Sequence, residues 1–435
     1  MRIDVPLRTA IAGIGGFAAA HHGIFAEFEE RGLARVVATC DPALDRLAEI
    51  CQSRGFVRRR IRAYKDFDEM LHGHCGELDL GVVATPIGCH APMHEALVRA
   101  RLACYLEKPP TLDPVELQRM LAIEENAVVP TNVGFSFVHL PERHALKRRM
   151  LGAEFGALRT MSFLGLSQRA PSYFQRNNWA GKLMLGENLL LDSCLGNAMA
   201  HFVNNLLFFG NQDDPQQWSR PVEMASELYR ANPIEGPDTI FAICRLDSGV
   251  ELRLAATHAC PNPSPILEEV MEFERATVTI RSANQVTIQR PGSPIERFSI
   301  SGASLDQSVG CYLDFLRGRR TRPAQTLRDC LGFVETNALF YLAAGQIHEL
   351  PASALLQEQA ESAIVLPDIE RAGRQLVADA VLPSQAGYSW ARPGARAAIE
   401  ALPNLLQCVQ HMRRDSEPGL RLSGPRLAKH CARIC

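Results

Sequence analysis

The sequence predicts an α/β protein with two sheets: an N-terminal doubly wound parallel sheet, then an α+β domain with a large open, mostly antiparallel sheet. Two observations predict this. Strand-like and helix-like segments alternate over the first third of the chain, and a run of strand-like segments separated by turns follows. We expect domains at residues 1–131 and 132–350, and a C-terminal extension at 351–435.

The first domain is predicted from short apolar segments, each followed by a helical pattern. Strands are expected at residues 9–13, 33–40, 78–85, 103–107 and 133–137, and helices at 19–31, 42–55, 64–71, 90–100 and 114–126. Asp66 is a possible cap of one helix. Ligands of such a sheet bind at the carboxyl ends of its strands, so candidate site residues are sought there.

The second domain is predicted from β-rich segments that end in turns such as Asp247-Ser248-Gly249. Strands are expected at residues 155–166, 239–246, 250–257, 270–273, 277–281 and 286–289, and within 222–229. An amphipathic helix at 326–345 is expected to pack back on the first domain. The broad open sheet leaves one face that something must cover.

Composition limits the function classes. The chain has 435 residues, a formal net charge of -2, 46% hydrophobic and 22% charged residues. These values are ordinary for a globular protein and give no reason to expect a nucleic-acid or membrane partner. The 13 cysteines are scattered, with no CxxC pair and no zinc-ligand spacing. We therefore expect reduced thiols, no metal site and a cytoplasmic location.

The N-terminus has a rival interpretation as a signal peptide, because Arg2 and Arg8 precede the apolar stretch 11–20. Asp4 interrupts the basic region, and three glycines would weaken the apolar helix. A strand, a glycine turn and a helix start explain the same residues better.

That turn has the pattern G-x-G-x-x-A. Gly13 permits a tight turn, Gly15 lets the backbone approach a pyrophosphate, and Ala18 lets helix and strand pack closely. The helix start offers free backbone N–H groups to phosphates. The candidate cofactor-binding residues of the turn are Gly13, Gly15, Gly16, Phe17 and Ala18.

Asp41 follows the second strand, about 20 residues beyond the turn, where a dinucleotide-binding unit places a carboxylate that accepts hydrogen bonds from the ribose hydroxyls. A carboxylate there repels a 2′-phosphate, so NAD is favoured over NADP. The alternative is that Asp41 only caps a helix beginning at Pro42.

Four features in order resemble the glucose–fructose oxidoreductase/inositol dehydrogenase (Gfo/Idh/MocA) family over roughly residues 8–350. They are the glycine turn with Asp41, Ala84-Thr85-Pro86 followed by His90, Glu107-Lys108-Pro109, and Val133-Gly134-Phe135. The resemblance implies an NAD(P)-binding Rossmann domain and oxidation or reduction of sugars, polyols or related molecules. It adds cofactor-binding candidates at Thr85, Pro86, His90, Glu107 and Lys108.

The resemblance also implies catalytic positions. Lys108 is the lysine at the active-site end of its strand. The family's helix motif Asp-x-x-x-His fits Asn197 to His201, with Asn204 three residues on and all three expected on one helix face. The histidine is kept, but amides replace the carboxylates. Asp192 either supplies the missing carboxylate or caps the helix, and His201 is either the general base and acid or a packed core histidine.

Two further features bear on the site. Phe137-Val138-His139 stands where many family members carry an arginine. The loop 168–186 mixes aromatic, amide and basic residues, including Trp179, which suits a polyhydroxylated ligand or is an ordinary surface loop. The substrate-binding candidates are Lys108, Trp179, Asn197 and His201. In this family a second subunit commonly covers the open sheet, which implies a homodimer or homotetramer.

The resulting hypothesis is an NAD-dependent dehydrogenase acting on a secondary alcohol or ketone of a sugar, cyclitol or related small molecule. Two alternatives stay open: a non-catalytic NAD-binding sensor, and an NAD-assisted glycoside hydrolase on the same fold. In the extension, residues 385–390 are expected to fold over the site or join a subunit interface, and the basic C-terminal stretch to be poorly ordered.

Overall fold

A six-stranded parallel sheet forms the N-terminal part of the molecule. The computed structural model describes residues 5–261, 265–358 and 363–415 of the chain. The strands are β1 (Leu7–Ala12), β2 (Ala34–Cys40), β3 (Arg62–Tyr64), β4 (Leu80–Val83), β5 (Ala103–Leu106) and β6 (Asn132–Val133). They lie in the order β3-β2-β1-β4-β5-β6. The strand order reverses at β1, next to β4, and this opens the crevice where such sheets bind ligands.

Six helices connect these strands: α1 (Ala18–Glu30), α2 (Ala48–Ser53), α3 (Phe56–Arg59), α4 (Phe67–Gly73), α5 (His90–Arg99) and α6 (Pro114–Glu124). Local sequence explains two of the starts. The Asp66 carboxylate accepts a hydrogen bond from the Glu69 amide at 2.9 Å, and Asp113 caps α6 just before Pro114. The predicted fold class of the first domain is confirmed.

The second sheet is mixed and mostly antiparallel. The later strands are β7 (Leu158–Leu166), β8 (Met184–Leu185), β9 (Asn188–Leu189), β10 (Pro221–Arg230), β11 (Thr239–Leu246), β12 (Glu251–Thr257), β13 (Ile266–Phe273), β14 (Thr277–Arg281), β15 (Gln285–Gln289), β16 (Glu296–Ser299), β17 (Ile347–Glu349), β18 (Leu356–Glu358), β19 (Ala363–Val365) and β20 (Arg396–Ala398). The sheet order is β16-β15-β14-β13-β7-β12-β11-β10-β17, with β20 also paired to β10. β8–β9 and β18–β19 are separate hairpins.

Seven more helices follow: α7 (Pro141–Met150), α8 (Pro171–Gln175), α9 (Ala200–Gly210), α10 (Leu305–Leu316), α11 (Leu331–Ala344), α12 (Ile369–Asp379) and α13 (Leu405–Asp415). Helix α10 packs on the first sheet, where Val309 and Tyr312 join Phe25 and Phe28 in one buried cluster. The sequence patterns gave no prediction for α10. The predicted helix at 326–345 is α11, which begins five residues later and contacts α6 and the second sheet.

Two local predictions differ from the structure, and one short strand was not predicted. Residues 133–137 do not form a strand: β6 ends at Val133 because only Asn132 and Val133 pair with β5, and a 3-10 turn occupies Ser136–His139. Residues 42–55 are not one helix: a 3-10 turn occupies Leu44–Arg46, and α2 covers only Ala48–Ser53. Strand β3 was not predicted, because its three residues are too few for a pattern to be visible.

The C-terminal extension covers the outer face of the second sheet. Helix α12 packs on β7 and β12, and Gly373 lies so close that a Cβ there would be 2.7 Å from the Leu164 side chain. Trp390 packs edge-on against Tyr229 of β10, with ring centroids 5.3 Å apart. Leu376 and Trp390 belong to one buried cluster with apolar residues of β7, β10, β11 and β12.

This cover changes the argument for a partner subunit. The oligomer prediction assumed an uncovered apolar face, and the structure covers that face with residues of the same chain. On β14 and β15 the outer positions are polar, as at Thr279 and Thr287. The extension thus covers the part of this face formed by β7, β10, β11 and β12, and the homodimer or homotetramer stays a prediction. Residues 385–390 pack here, and the basic stretch 416–435 lies outside the described residues.

Across the described ranges, no helix is long and apolar enough to cross a membrane. In the same ranges, no group of three or more His, Cys, Asp or Glu side chains is arranged to hold a metal ion.

Replacing a buried contact of the extension should loosen it from the sheet. Leu376→Ala removes a fully buried side chain of α12, and we expect the free energy of unfolding of this unit to fall by about 2–5 kcal/mol. Thermal melting measures the change. Leu406→Ala on α13, where the leucine is exposed, is the matched control. Equal small changes in the two variants would contradict the packing described.

Candidate active site

The turn between β1 and α1 has the geometry of a phosphate cradle. Gly13 has φ +100°, and a Cβ there would lie 2.8 Å from Ala18 Cβ and 2.9 Å from the Ala84 carbonyl oxygen. A Cβ on Gly16, at φ +53°, would meet nothing within 4 Å. Helix α1 has no side-chain cap at Phe17, so its first N–H groups can receive an anion. These observations fit the pyrophosphate of a dinucleotide.

Asp41 lies beside this turn. Its Oδ2 accepts hydrogen bonds from the backbone N–H of Ile14 at 3.0 Å and of Gly15 at 3.4 Å, and its Oδ1 accepts one from Ala43 N at 2.9 Å. The carboxylate thus stabilises the turn after β2 and also lies against the glycine turn. The two sequence interpretations of Asp41 are compatible, because one carboxylate has enough lone pairs for both roles.

Glu107 at the end of β5 is tied to helix α1. His21 Nε2 lies 2.9 Å from Glu107 Oε1, and both side chains are buried. Glu107 Oε2 also accepts a hydrogen bond from the Lys108 amide at 3.2 Å. No sequence pattern singled out His21, and only its place on the sheet-facing side of α1 could have indicated it. The pair fixes the strand end that carries Lys108.

His90 is a positioning residue in this structure. Its Nδ1 lies 2.9 Å from the Pro109 carbonyl oxygen and its Nε2 lies 2.9 Å from the Thr85 carbonyl oxygen. Burial lowers the pKa of His90. Because carbonyls face both nitrogens, the ring joins the loops after β4 and β5 and has no nitrogen left for a ligand. Thr85 and the exposed Pro86 lie at the same strand end.

Lys108 is the centre of a polar chain at this edge. Its Nζ donates to the Asn197 carbonyl oxygen at 2.8 Å and to Asn197 Oδ1 at 3.4 Å. Asn197 Nδ2 donates to Asp192 Oδ1 at 2.9 Å, and Asp192 Oδ2 accepts from the Gly181 amide at 2.6 Å. Burial lowers the pKa of Lys108, while the charges of Glu107 and Asp192 oppose that shift.

Asp192 was expected either to cap the helix or to supply a carboxylate to the site. Ser193 is the side chain that caps the following turn, with its Oγ accepting from Gly196 N at 2.9 Å. Asp192 instead contacts Asn197, and it is almost fully buried. Burial raises the pKa of Asp192, and its hydrogen bonds and the charges of Arg176 and Lys108 oppose the rise. The carboxylate therefore supports Lys108 through Asn197.

The predicted helix register around His201 is wrong. Residues Cys194–Ala198 form a π-helical turn, and α9 starts only at Ala200. Asn197 and His201 are therefore not one turn apart on a common α-helical face. Asn204 is also turned away, because its amide pairs with Gln325 at 2.9 and 2.8 Å in a fully buried contact. A π turn adds a residue that side-chain spacing does not reveal.

His201 lies in an aromatic pocket. Its ring stacks on Phe137 at 5.1 Å and meets the edge of Phe135 at 5.8 Å. The buried Arg143 guanidinium lies 4.4 Å from the centre of the Phe137 ring. No residue of the described chain bonds His201 Nδ1. Burial, together with the positive charge of Lys108, lowers the pKa of His201 well below its ordinary value, so the ring is neutral at neutral pH.

The loop predicted to face a polyhydroxylated ligand carries cations stacked on aromatic rings. The Arg176 guanidinium lies 3.7 Å from the centre of the Tyr173 ring and 5.4 Å from that of Trp179. Arg169 packs against the same Tyr173 ring at 4.9 Å. The charge of Arg176 reaches Asp192 and His258, where it affects their pKa values. His258 was missed in the sequence because it follows β12, outside this loop, and Arg169 lies within the loop but was not singled out.

Known proteins resemble this chain in sequence and in fold. Residues 7–135 match the family model of GFO_IDH_MocA, described as the oxidoreductase family with an NAD-binding Rossmann fold. Residues 7–135 belong to the Gfo/Idh/MocA family. The resemblance stated from the motifs is thereby confirmed, and so is NAD as the cofactor that this fold takes.

A curated relative is UDP-N-acetylglucosamine 3-dehydrogenase from Acidithiobacillus ferrooxidans. It is 25% identical over 167 residues, which are 38% of this chain. The matched stretch spans 47% of that enzyme, so about half its length is compared. The activity in this name is that of the relative.

Solved structures of the family resemble most of the chain. One is the WlbA dehydrogenase from Bordetella pertussis in complex with NADH and UDP-GlcNAcA, with a TM-score of 0.63 and 19% identity over 78% of this chain and 96% of that one. WlbA from Chromobacterium violaceum, in complex with the same ligands, gives a TM-score of 0.64 at 18% identity, over 78% of this chain and 94% of that one. These likenesses confirm the two-sheet fold.

Removing the charge of Asp41 should weaken NAD binding. Asp41→Asn leaves the shape intact but loses a charge-assisted acceptor, so we expect the dissociation constant for NAD to rise about tenfold or more. Isothermal titration calorimetry measures it. Asp45→Asn, at an exposed carboxylate that pairs with Lys65, is the control. Unchanged affinity in Asp41→Asn would remove Asp41 from the cofactor site.

Proposed function

We propose that this protein is an NAD-dependent dehydrogenase acting on a CH–OH group of a sugar, cyclitol or related small molecule. The observation that carries the proposal is the Lys108 ammonium, held at the carboxyl end of β5 by Asn197. The strand end lies on the same sheet edge as the glycine turn. When bound, the nicotinamide supplies a hydride acceptor or donor.

Lys108 is the group that contacts the reacting oxygen. An ammonium has three N–H donors, and Asn197 takes up two of them. The third is available for a substrate hydroxyl or carbonyl oxygen, where it stabilises developing negative charge. Because burial lowers the pKa of Lys108, the amine can also take and return the hydroxyl proton more readily than an exposed lysine.

His201 is the second candidate for proton exchange, but its environment favours a role in orienting the substrate. A neutral ring can accept or donate one hydrogen bond to a substrate oxygen. The charge of Lys108 makes an imidazolium unfavourable, and among the described residues no carboxylate contacts the ring to offset that cost. We therefore assign His201 to substrate orientation, with Asp192 and Asn197 as positioning residues for Lys108.

The chemistry of the loop favours a substrate that carries an acidic group. Arg169 and Arg176 both pack against the ring of Tyr173. The positive charge of Arg176 also acts on the Asp192 carboxylate. Arg169 Nε has no hydrogen-bond partner in the described part of the chain. Guanidinium groups suit carboxylate or phosphate, so a sugar acid or phosphorylated sugar fits better than a neutral sugar. The curated relative is named for UDP-N-acetylglucosamine, and a solved relative binds UDP-GlcNAcA; both molecules contain phosphate groups.

Activity should depend on both substrate and Lys108. NADH absorbance is followed with a panel of neutral sugars, cyclitols, sugar acids and sugar nucleotides, in the parent protein and in Lys108→Ala. We expect turnover with an acidic member of the panel, and a loss of at least 10²-fold in the variant. Lys65→Ala, at an exposed lysine, is the matched control.

Other outcomes separate the alternatives. NAD binding without turnover, and without an effect of Lys108→Ala, would favour the NAD-binding sensor. NAD retained through purification, with cleavage of a glycosidic bond and no net NADH, would favour the NAD-assisted hydrolase. Turnover that Lys108→Ala leaves unchanged would contradict the assigned role of the lysine.

His201→Ala should affect turnover far more than cofactor binding, because the charge of Lys108 acts on the ring, whereas the glycine turn carries the cofactor-binding candidates. We expect kcat to fall about tenfold or more, with an unchanged dissociation constant for NAD. Steady-state kinetics and calorimetry measure the two quantities. Parallel loss of both would indicate that His201 only stabilises the fold.

A further inference from the structure

A cavity lies apart from the proposed active site. Its volume is about 410 Å³, and it is lined by residues 139–148 around the start of α7, residues 216–218, and residues 319–324 after α10. The glycine turn, Lys108, Asn197 and His201 do not line it. The cavity is therefore independent of the groups assigned to NAD and to the reacting oxygen.

Four arginines line this cavity: Arg148, Arg319, Arg320 and Arg322. Arg319 pairs with Asp314 at 3.1 Å, and Arg322 pairs with Asp329. For Arg148 and Arg320, the described chain provides no hydrogen-bond or ion-pair partner. Two guanidinium groups are thus left to bind a ligand from outside the chain.

Trp218 forms the buried side of the cavity. Trp218 is only 9% exposed, and its indole N–H has no hydrogen-bond partner among the described residues. The ring itself is fixed against Phe208, with centroids 5.0 Å apart. The ring therefore forms a rigid wall of the cavity, and its indole N–H lies inside the protein behind that wall.

The charges around the cavity favour an anion. Lys147, next in sequence to Arg148, is buried and donates to the Gln217 carbonyl oxygen at 2.6 Å. The carboxylates near these cations are Asp214, Asp314 and Asp329. Burial lowers the pKa of Lys147 to about 7, so the four lining arginines are the full positive charges that face these three carboxylates. The two lining histidines add no positive charge at neutral pH, because burial lowers the pKa values of His139 and His144.

We propose that this cavity binds the phosphate group of a small phosphorylated molecule. Guanidinium groups form paired hydrogen bonds to phosphate oxygens, and among the described residues Arg148 and Arg320 have theirs free for this. The volume exceeds that of one phosphate, so an attached organic group can be accommodated. The site stands on its own residues and does not depend on the proposed dehydrogenase activity.

The indole N–H gives a local readout of binding. The chain has three tryptophans, so a protein labelled with ¹⁵N at the indole nitrogens gives three assignable signals, with Trp218→Phe identifying one. Inorganic pyrophosphate is titrated into the full-length protein at saturating NAD, which occupies the glycine turn. We expect a saturable shift of the Trp218 signal, and at least a tenfold higher dissociation constant in Arg320→Glu.

Matched variants separate a site from general charge effects. Arg297→Glu changes an exposed arginine on β16 that does not line the cavity, and it should leave the titration unchanged. Arg148→Glu provides a second lining variant if Arg320→Glu does not fold. No saturable shift of Trp218, or equal weakening in Arg297→Glu, would overturn the proposal.

Discussion

The contact between the Lys108 ammonium and Asn197 links the two halves of the molecule. It joins the end of β5 in the first sheet to the π-helical turn that precedes α9 over the second sheet. A buried ammonium is costly unless its N–H groups are satisfied, so the turn must present its carbonyl and amide oxygens in this direction. Asp192 then holds the Asn197 amide. The proposed chemistry depends on this arrangement, because it leaves one Lys108 proton for a ligand.

The departure from the family's helix motif follows the same logic. An amide at position 197 keeps a hydrogen-bonding chain between Lys108 and the Asp192 carboxylate, but it separates the two charges. The carboxylate therefore opposes the burial-driven fall in the pKa of Lys108 only from a distance. A carboxylate at position 197 would pair with the ammonium directly and hold it charged. The substitution of amide for carboxylate thus favours proton exchange by the lysine over proton exchange by His201.

Local constraints were predictable from the sequence, and contacts between distant segments were not. The tight turn at Gly13 and its close packing with Ala18 were predicted correctly, because both are properties of a few consecutive residues. The surroundings of His201 were not predictable, because Phe137 and Lys108 reach it from other segments and because the π turn changes the helical register. Helix α10 and the Trp390 cover were missed, since their partners lie in sheets formed far earlier in the chain.

The state of the Lys108 ammonium is the most direct test. Competitive labelling with trace acetic anhydride, followed by mass spectrometry of the peptides, gives the pKa of each lysine without a substrate. Lys65, which is exposed, serves as the internal reference. Burial predicts that Lys108 reacts with a midpoint below the ordinary lysine value, and that Asn197→Asp moves this midpoint upward. A midpoint at or above that of Lys65, unchanged in the variant, would contradict the account.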